Sequence, residues 1–308
     1  TSDGQMLFLV NMLSKMKQDT ALGSRIAHVH NGSALFTGDA GSGESNIRRW
    51  IIENDWLEAI IQLPDNIFYN TGISTYIWIL SNRKEERRKG KIQLIDANKW
   101  FTPLRKNLGD RNCELTEDHI RKIVNVFTRF EETEESKIFP NASFGYYKVT
   151  VERPLRAKDI DPETAYKAAE IKALKDTGKI SSDGAPVIKK IHGSHAESEP
   201  LKGLFAQEIK GKNRVVEYEP DPDLRDTEQV PLLHQGGIEA FIRTEVLPYA
   251  PDAWVDDSKT KIGYEISFNK YFYKPIPLRT IKEIVADIEA LEKEGDGLLS
   301  EIIGDLIK

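Results

Sequence analysis

Three short apolar runs stand out in the first quarter of the chain, at residues 26–30, 57–63 and 76–80. Each is rich in Ile, Val or aromatic residues and is bounded by Gly, Pro, Asn or Asp. Runs of that length and composition predict buried β-strands. Between the first two, Ile47, Trp50 and Ile51 follow the helical i, i+3, i+4 spacing behind Ser45, a candidate N-cap. Strand, helix, strand is the unit of an open α/β sheet. The second and third runs are joined through Pro64, Asn70 and Gly72, with no periodic stretch long enough for a crossover helix, so they are expected to pair antiparallel. The expectation is a parallel sheet closed by an antiparallel hairpin.

The same reading extends along the chain. Met6, Leu9, Val10, Leu13 and Met16 predict an amphipathic helix over 5–17 that covers one side of the first strand. Residues 90–97 read as a strand, with Asp96 as a turn or cap residue near its end. A helix over 116–130 opens at Thr116, Asp118 and His119 and carries Ile120, Ile123, Val124, Phe127 and Phe130 as one stripe. An acidic link follows, then an alternating strand over 144–153 that Pro154 ends. From 157 to 226 charged and small polar residues take over, which predicts an inserted, partly flexible segment with short helices at 165–176 and 201–210. Thr280 and Glu283 then form a capping box. Beyond it Ile281, Ile284, Ile288 and Leu291 step by threes and fours, and the register resumes at Leu298 and Ile302. This spacing is coiled-coil-like, although Gly295 and Gly297 weaken an unbroken helix. Burial is worth about 1.5–3 kcal/mol per such side chain, so the stripe asks for cover, either from a partner or from the chain itself.

Composition narrows the choices. With 39% hydrophobic and 30% charged residues over 308 positions, the chain has the make-up of a soluble globular protein, with ample length for a core. No apolar run is long enough to span a bilayer, and the N-terminus lacks the pattern of a signal peptide, so a cytoplasmic location is the default expectation. Cys113, the lone cysteine, excludes an intrachain disulfide framework and a cysteine-cluster zinc site. His192 and His195 stand at i, i+3, but Gly193 and the polar surroundings speak against a metal site, and no metal ligand is assigned. The net charge of −6 argues against a protein that grips DNA alone by neutralising phosphates. Residues 82–91 form a basic run, read as a solvated loop with a phosphate-facing role as the alternative. The glycine-rich TGDAGSGES before the first helix could face an anion. Its spacing fits neither a P-loop nor a G-x-G-x-x-G turn, and the plainer reading is a mobile surface loop.

Several long stretches carry a family resemblance: RIAHVHNGSALFTG, SNIRRWIIENDWLEAIIQLPDNIFYNTGISTYIWILSNRK, GKIQLIDANKWFTPLRKNLG, FEETEESKIF, FGYYKVTVERPLR and KTKIGYEISFNKYFYKPIPLRT. Together they resemble the modification subunit of type I restriction-modification enzymes, the DNA adenine-N6 methyltransferases, over most of the chain apart from a poorly matched middle block. The resemblance implies an α/β fold, the second half of a Rossmann-like methyltransferase sheet with an antiparallel hairpin, then a mixed α+β region, with a small helix over 237–246 and strands within 264–273, and a C-terminal helix. It assigns 1–101 to the C-terminal half of the catalytic domain, 102–156 to a helix-plus-strand extension, 157–226 to a charged insertion and 227–308 to a C-terminal region ending in a partner-docking helix.

It also implies S-adenosylmethionine as cofactor, DNA as substrate, and specificity and restriction subunits as partners. The cofactor loop of Asp-Pro-Ala-Cys-Gly-Thr-Gly type and the catalytic Asn-Pro-Pro-Phe both fall upstream of the equivalent of Thr1, and neither occurs in this sequence. With no initiator Met either, the chain reads as cut from something longer and is expected to be inactive alone, with no catalytic or cofactor-binding residue of its own. An enzyme that methylates a base must extrude it and hold it against an aromatic or apolar face. By position after its strand, the loop with Phe68, Tyr69, Asn70, Thr71 and Gly72 resembles the place where adenine methyltransferases stack that base; the plainer alternative has Phe68 plugging the core. The stripe of Ile281, Ile284, Ile288, Leu291, Leu298 and Ile302 is the expected docking face for the specificity subunit. A non-catalytic assembly module is the alternative function. A nucleotide-binding protein built on TGDAGSGES is disfavoured by the absent Lys.

Overall fold

The structure is a computed structural model that describes residues 4–193, 195–275 and 278–306, the side chains of 296–306 excepted. It divides into two compact units, Thr1–Tyr271 and Phe272–Lys308. The fold is mixed α/β with several sheets.

The chain begins with α1 (Gly4–Leu13), β1 (Arg25–Asn31), α2 (Ser33–Phe36), α3 (Gly43–Glu53), β2 (Leu57–Gln62), β3 (Thr75–Ser81) and β4 (Lys91–Asp96). A hairpin of β5 (Thr102–Leu108) and β6 (Arg111–Glu114) follows, then α4 (Glu117–Arg129) and β7 (Ser136–Pro140). The main sheet has the order β1-β3-β2-β4-β7. The three expected strands are present, and β2 and β3 are antiparallel neighbours. One feature differs from expectation. The return strand β3 does not close an edge; it lies antiparallel to both β1 and β2, and β2 is parallel to β4. β1, β2 and β4 therefore run one way with β3 threaded against them, because the α3 crossover leaves a strand-wide gap that the short β2–β3 connection fills. β2 is buried at every position, as a central strand covered on both faces must be. Among the described strands, β1 pairs with β3 alone and keeps an open edge.

Helix packing follows the apolar spacing with one change. Met6, Leu9, Leu13 and Met16 are buried, whereas Val10 is only partly so. On α4, Ile123 is buried with Val126 and Phe127 against Ile95 and Trp100, while Ile120 and Val124 are exposed. The expected single stripe is thus split, since α4 meets the sheet along one narrow edge. Thr116 and His119 cap its start, and Phe130, in the left-handed region at φ 55°, ends it.

The second part of the first unit contains β8 (Gly145–Glu152), β9 (Arg156–Ala157), α5 (Ala168–Asp176), β10 (Ala185–Pro186), β11 (Ile188–Ile191), β12 (Phe205–Ile209), β13 (Lys212–Tyr218), β14 (Asp226–Pro231), α6 (Gly237–Phe241) running into a π-helical turn, and β15 (Trp254–Tyr264). α7 (Phe268–Phe272) and α8 (Ile281–Leu306) complete the chain. β8 is the centre of a sheet ordered β14-β8-β15, closed by a core of Val149, Val151, Val230, Ile242 and Val255. Buried Glu152 is held by Arg225 Nε (2.8 Å), just ahead of β14, and by Lys259 Nζ (2.9 Å) of β15.

Residues 157–226 hold a sheet ordered β11-β13-β12 and two small cores, around Ile171 and Val187 and around Ile188 and Val216. The helix expected at 165–176 is α5, but the one expected at 201–210 is a 3₁₀ turn followed by strand β12. Left-handed Gly203 breaks any helix there, and left-handed Lys210 and Gly211 turn β12 back onto β13 as a hairpin. The strands expected within 264–273 are likewise replaced by the end of β15 and by α7.

β15 is tied to α3 at Tyr264. Its N–H donates to Ser45 Oγ (3.1 Å), and its carbonyl accepts from Arg48 Nε (2.7 Å). Burial, and then the negative charge of Glu53 beside the hydroxyl, push the Tyr264 phenol up to about 12. In the unfolded chain the phenol ionises near 10.0. The stability difference between wild type and Tyr264→Phe is therefore expected to be constant below that pH and to shrink up to about 12, as read by urea denaturation at stepped pH. Burial also draws Arg48 down, to about 10, but Arg48 is common to wild type and variant. The variant difference, not the raw curve, carries the test.

Candidate functional site

The parallel strands β2 and β4 end together at Gln62 and Asp96, the end of an α/β sheet where ligands bind. From Gln62 the chain enters residues 63–74. Ile67 packs inward against the Ile61 and Trp100 core, while Phe68 and Tyr69 are 40% and 61% exposed. The turn is closed by the Thr71 amide donating to the Phe68 carbonyl (3.4 Å), with Asn70 and Gly72 beside it.

This loop is held by its neighbours. Asp65 bonds Ser74 Oγ, which also accepts from Gln62 Nε2 (3.1 Å). Asn66, left-handed at φ 59°, donates from Nδ2 to the Asp110 carbonyl (2.9 Å) and accepts from the Asn112 amide (3.2 Å). The Asp110 amide donates to the Tyr69 carbonyl (3.0 Å), and buried Cys113 donates from Sγ to the Asp65 carbonyl (3.2 Å). A β-carbon on Gly109 would lie 2.9 Å from that Tyr69 carbonyl, so only glycine permits the approach. The β5–β6 hairpin is thus a brace for the aromatic loop. Asp96 accepts from the Asn98 amide (3.0 Å), the turn role expected of it.

At the end of β1 lies a cavity of 130 Å³ with Gly32, Leu35, Phe36, Tyr76 and Phe268 in its wall. Tyr76 and Phe268 meet edge to face at 5.3 Å. Burial, then the charges of Asp65 and Asp96, raise the Tyr76 phenol above its usual range, keeping it a neutral donor. Phe268 was not legible as part of this end of the sheet, because nothing local links it to β1.

Two sequence features serve structure instead. Fully buried Arg48 fills the glycine-rich loop from inside, donating to the carbonyls of Tyr264, Ala34 (3.1 Å) and Gly38 (3.4 Å). Asp39 pairs with Lys148 (2.5 Å), and Ser42 caps α3. That loop is fastened to the body rather than free on the surface. Part of the basic run also turns inward. Arg87 donates to the carbonyls of Thr128 (2.7 Å) and Arg129 (3.0 Å). Arg88, fully buried, bonds the Phe127 carbonyl and Gln93 and lies over the rings of Phe127 (4.2 Å) and Phe130 (4.3 Å). Lys84 bonds Asp55 (2.6 Å) and the Lys91 carbonyl. Arg87 and Arg88 cap the end of α4 and Lys84 stitches two loops, whereas Arg83, Lys89 and Lys91 are exposed, as the solvated-loop reading expects. His192 bonds Glu217 (2.5 Å), and among the described residues no group of metal-ligating side chains forms a site.

In the second unit, Ile281, Ile284, Val285, Ile288 and Leu291 are exposed along α8; the side chains of Leu298 and Ile302 lie outside the described residues. Among the described residues, no helix is long and apolar enough to cross a membrane.

The chain is 36% identical over 180 residues to the type I restriction enzyme MjaIX methylase subunit of Methanocaldococcus jannaschii, covering 58% of this chain and 29% of that one. It is 27% identical over 216 residues to the MjaVIII methylase subunit of the same organism, covering 68% and 32%. The chain thus spans about a third or less of the length of these relatives. Among solved structures, the type I restriction-modification methyltransferase subunit from Streptococcus thermophilus matches with a TM-score of 0.40 and 28% identity, over 46% of this chain and 28% of that one. The model of the N-6 DNA methylase family matches residues 1–164, the main sheet and its loops included, and the chain belongs to that family.

Proposed function

We propose that this chain is part of an S-adenosylmethionine-dependent DNA adenine-N6 methyltransferase, the modification subunit of a type I restriction-modification enzyme. In that reading, residues 1–101 supply the far half of a Rossmann-like sheet, 102–156 extend it, 157–226 are an insertion, and 227–308 lead to the docking helix. The observation that carries it is one juxtaposition. Parallel strands β1 and β2 enclose antiparallel β3, β1 keeps an edge open to further strands, and the exposed aromatic loop sits at the ligand-bearing end.

Phe68 offers the extruded base a face, with Asn70 and Thr71 beside it for polar contacts, and the β5–β6 brace holds that wall in place. Among the described residues, the glycine-rich loop does not fit the methyl donor, because Arg48 fills it and Asp39 and Lys148 pin it. In this reading the chain alone is inactive. DNA, a specificity subunit and a restriction subunit are the partners, and the exposed stripe of α8 is the face for the specificity subunit. If docking were its whole content, the chain would be an assembly module; the braced aromatic loop favours the catalytic reading.

A fusion placing the upstream segment of the MjaIX methylase subunit ahead of Thr1 tests this. Together with a type I specificity subunit it is expected to transfer labelled methyl groups to duplex DNA, whereas the chain alone transfers none and shows no calorimetric binding of S-adenosylmethionine. In the fusion, Phe68→Ala should lower kcat/KM by about 10- to 100-fold, the loss of one base-stacking contact. Unchanged kinetics would remove Phe68 from the base pocket.

A further inference from the structure

Alongside α5 lies an open cleft of 620 Å³ whose rim carries Lys167, Lys172, Lys175 and Lys189 over a floor of Tyr166 and Ile171. The single acid in its lining, Glu219, stands 3.7 Å from Lys189. The other three lysines form no ion pair among the described residues, in a chain where 49 acids outnumber 43 bases. Cations left together in one concavity, amid so many available carboxylates, raise the local positive potential and attract a polyanion.

We propose that this cleft binds the phosphodiester backbone of the DNA on which the parent enzyme acts, a proposal that rests on the methyltransferase reading. The length of the row favours a polymer over a small anion. Lys167 to Lys175 spans about 12 Å along the helix axis, several times the spacing of phosphates along one strand. Lys172 and Lys175, at i and i+3, share one face of α5. The helix N-terminus is not the anion site, because the Lys167 amide donates to the Glu170 carboxylate (2.7 Å). The floor does not read bases either. The Tyr166 hydroxyl is engaged by the Asp161 amide (2.7 Å), leaving cations for phosphate and little to tell one base pair from another. The insertion thereby supplies a sequence-independent grip that an acidic chain otherwise lacks.

The test is fluorescence anisotropy of the full chain with a labelled duplex between about 50 and 200 mM salt. Lys167→Gln/Lys172→Gln/Lys175→Gln replaces exposed side chains with one of similar helix propensity, and circular dichroism confirms the fold. The variant should bind at least 10-fold more weakly at the low-salt end, with the slope of log affinity against log salt shallower by about 2 to 3. Lys210→Gln/Lys212→Gln, on the β12–β13 turn, should leave the slope unchanged.

An unchanged slope in the triple variant, or an equal fall in the control, would overturn the proposal. So would a wild-type chain that fails to bind duplex, or one that binds polyglutamate through these lysines in its place. The methyl-transfer fusion separates the two claims. A fusion that methylates DNA while the triple variant keeps its slope leaves the enzyme reading standing without the cleft. A slope that falls while the fusion is inert leaves a nucleic-acid contact without the enzyme.

Discussion

Arg88→Ala is expected to cost about 3–5 kcal/mol, the usual consequence of removing one partner from a buried pair. That corresponds to a fall in melting temperature on the order of 10 °C, readable by calorimetry. The Arg88 guanidinium has Glu58 at 3.5 Å, donates to Gln93 and to the end of α4, and is enclosed by Phe127 and Phe130. Its removal leaves the Glu58 carboxylate, itself 1% exposed, with Arg25 as its remaining charged contact (3.2 Å) and takes one donor from the end of α4. Arg88→Met/Glu58→Leu should recover most of the loss, since a well-packed apolar pair can replace a buried ionic one. A single variant that melts with wild type would show that Arg88 does not hold the fold.

The second large effect concerns assembly. Ile284→Asp/Ile288→Asp/Leu291→Asp is expected to abolish co-purification with a type I specificity subunit, lowering affinity by more than about 100-fold. Three buried apolar side chains at about 1.5–3 kcal/mol each would be replaced by charges that refuse desolvation. All three residues are exposed on α8, so circular dichroism should report an intact helix. Undiminished co-purification would remove this face from the assembly.

Legibility followed the range of the forces. β1, β2 and β3 announced themselves because each is a short apolar run between breakers, and the β2–β3 pairing followed from the brevity of their connection. The insertion of β3 between β1 and β2 was hidden, because strand order is decided by contacts far apart in sequence. β5 escaped notice because its exposed Thr102, Pro103, Arg105 and Lys106 show no alternation. β15 did so because Asp256, Asp257, Lys259 and Lys261 fill its middle. The aromatic loop was identifiable by its place after a strand; its brace was not, since Asn66 meets Asp110 and Asn112 through hydrogen bonds to backbone that no side-chain pattern records. Arg48 and Arg88 were the least readable residues. A buried arginine looks in sequence like any surface cation, and only the carbonyls gathered around it reveal its role.

The bond from Arg48 to Tyr264 joins residues 216 positions apart. During synthesis the nascent chain has emerged well past α3 before the carbonyl that completes the guanidinium's coordination leaves the ribosome. Such distant closure is slow to form and exposes unfinished surface meanwhile. The amino-terminal sheet thus waits on β15 to be locked, and a ribosome stalled before Tyr264 would present chaperones with a lobe still lacking its clasp.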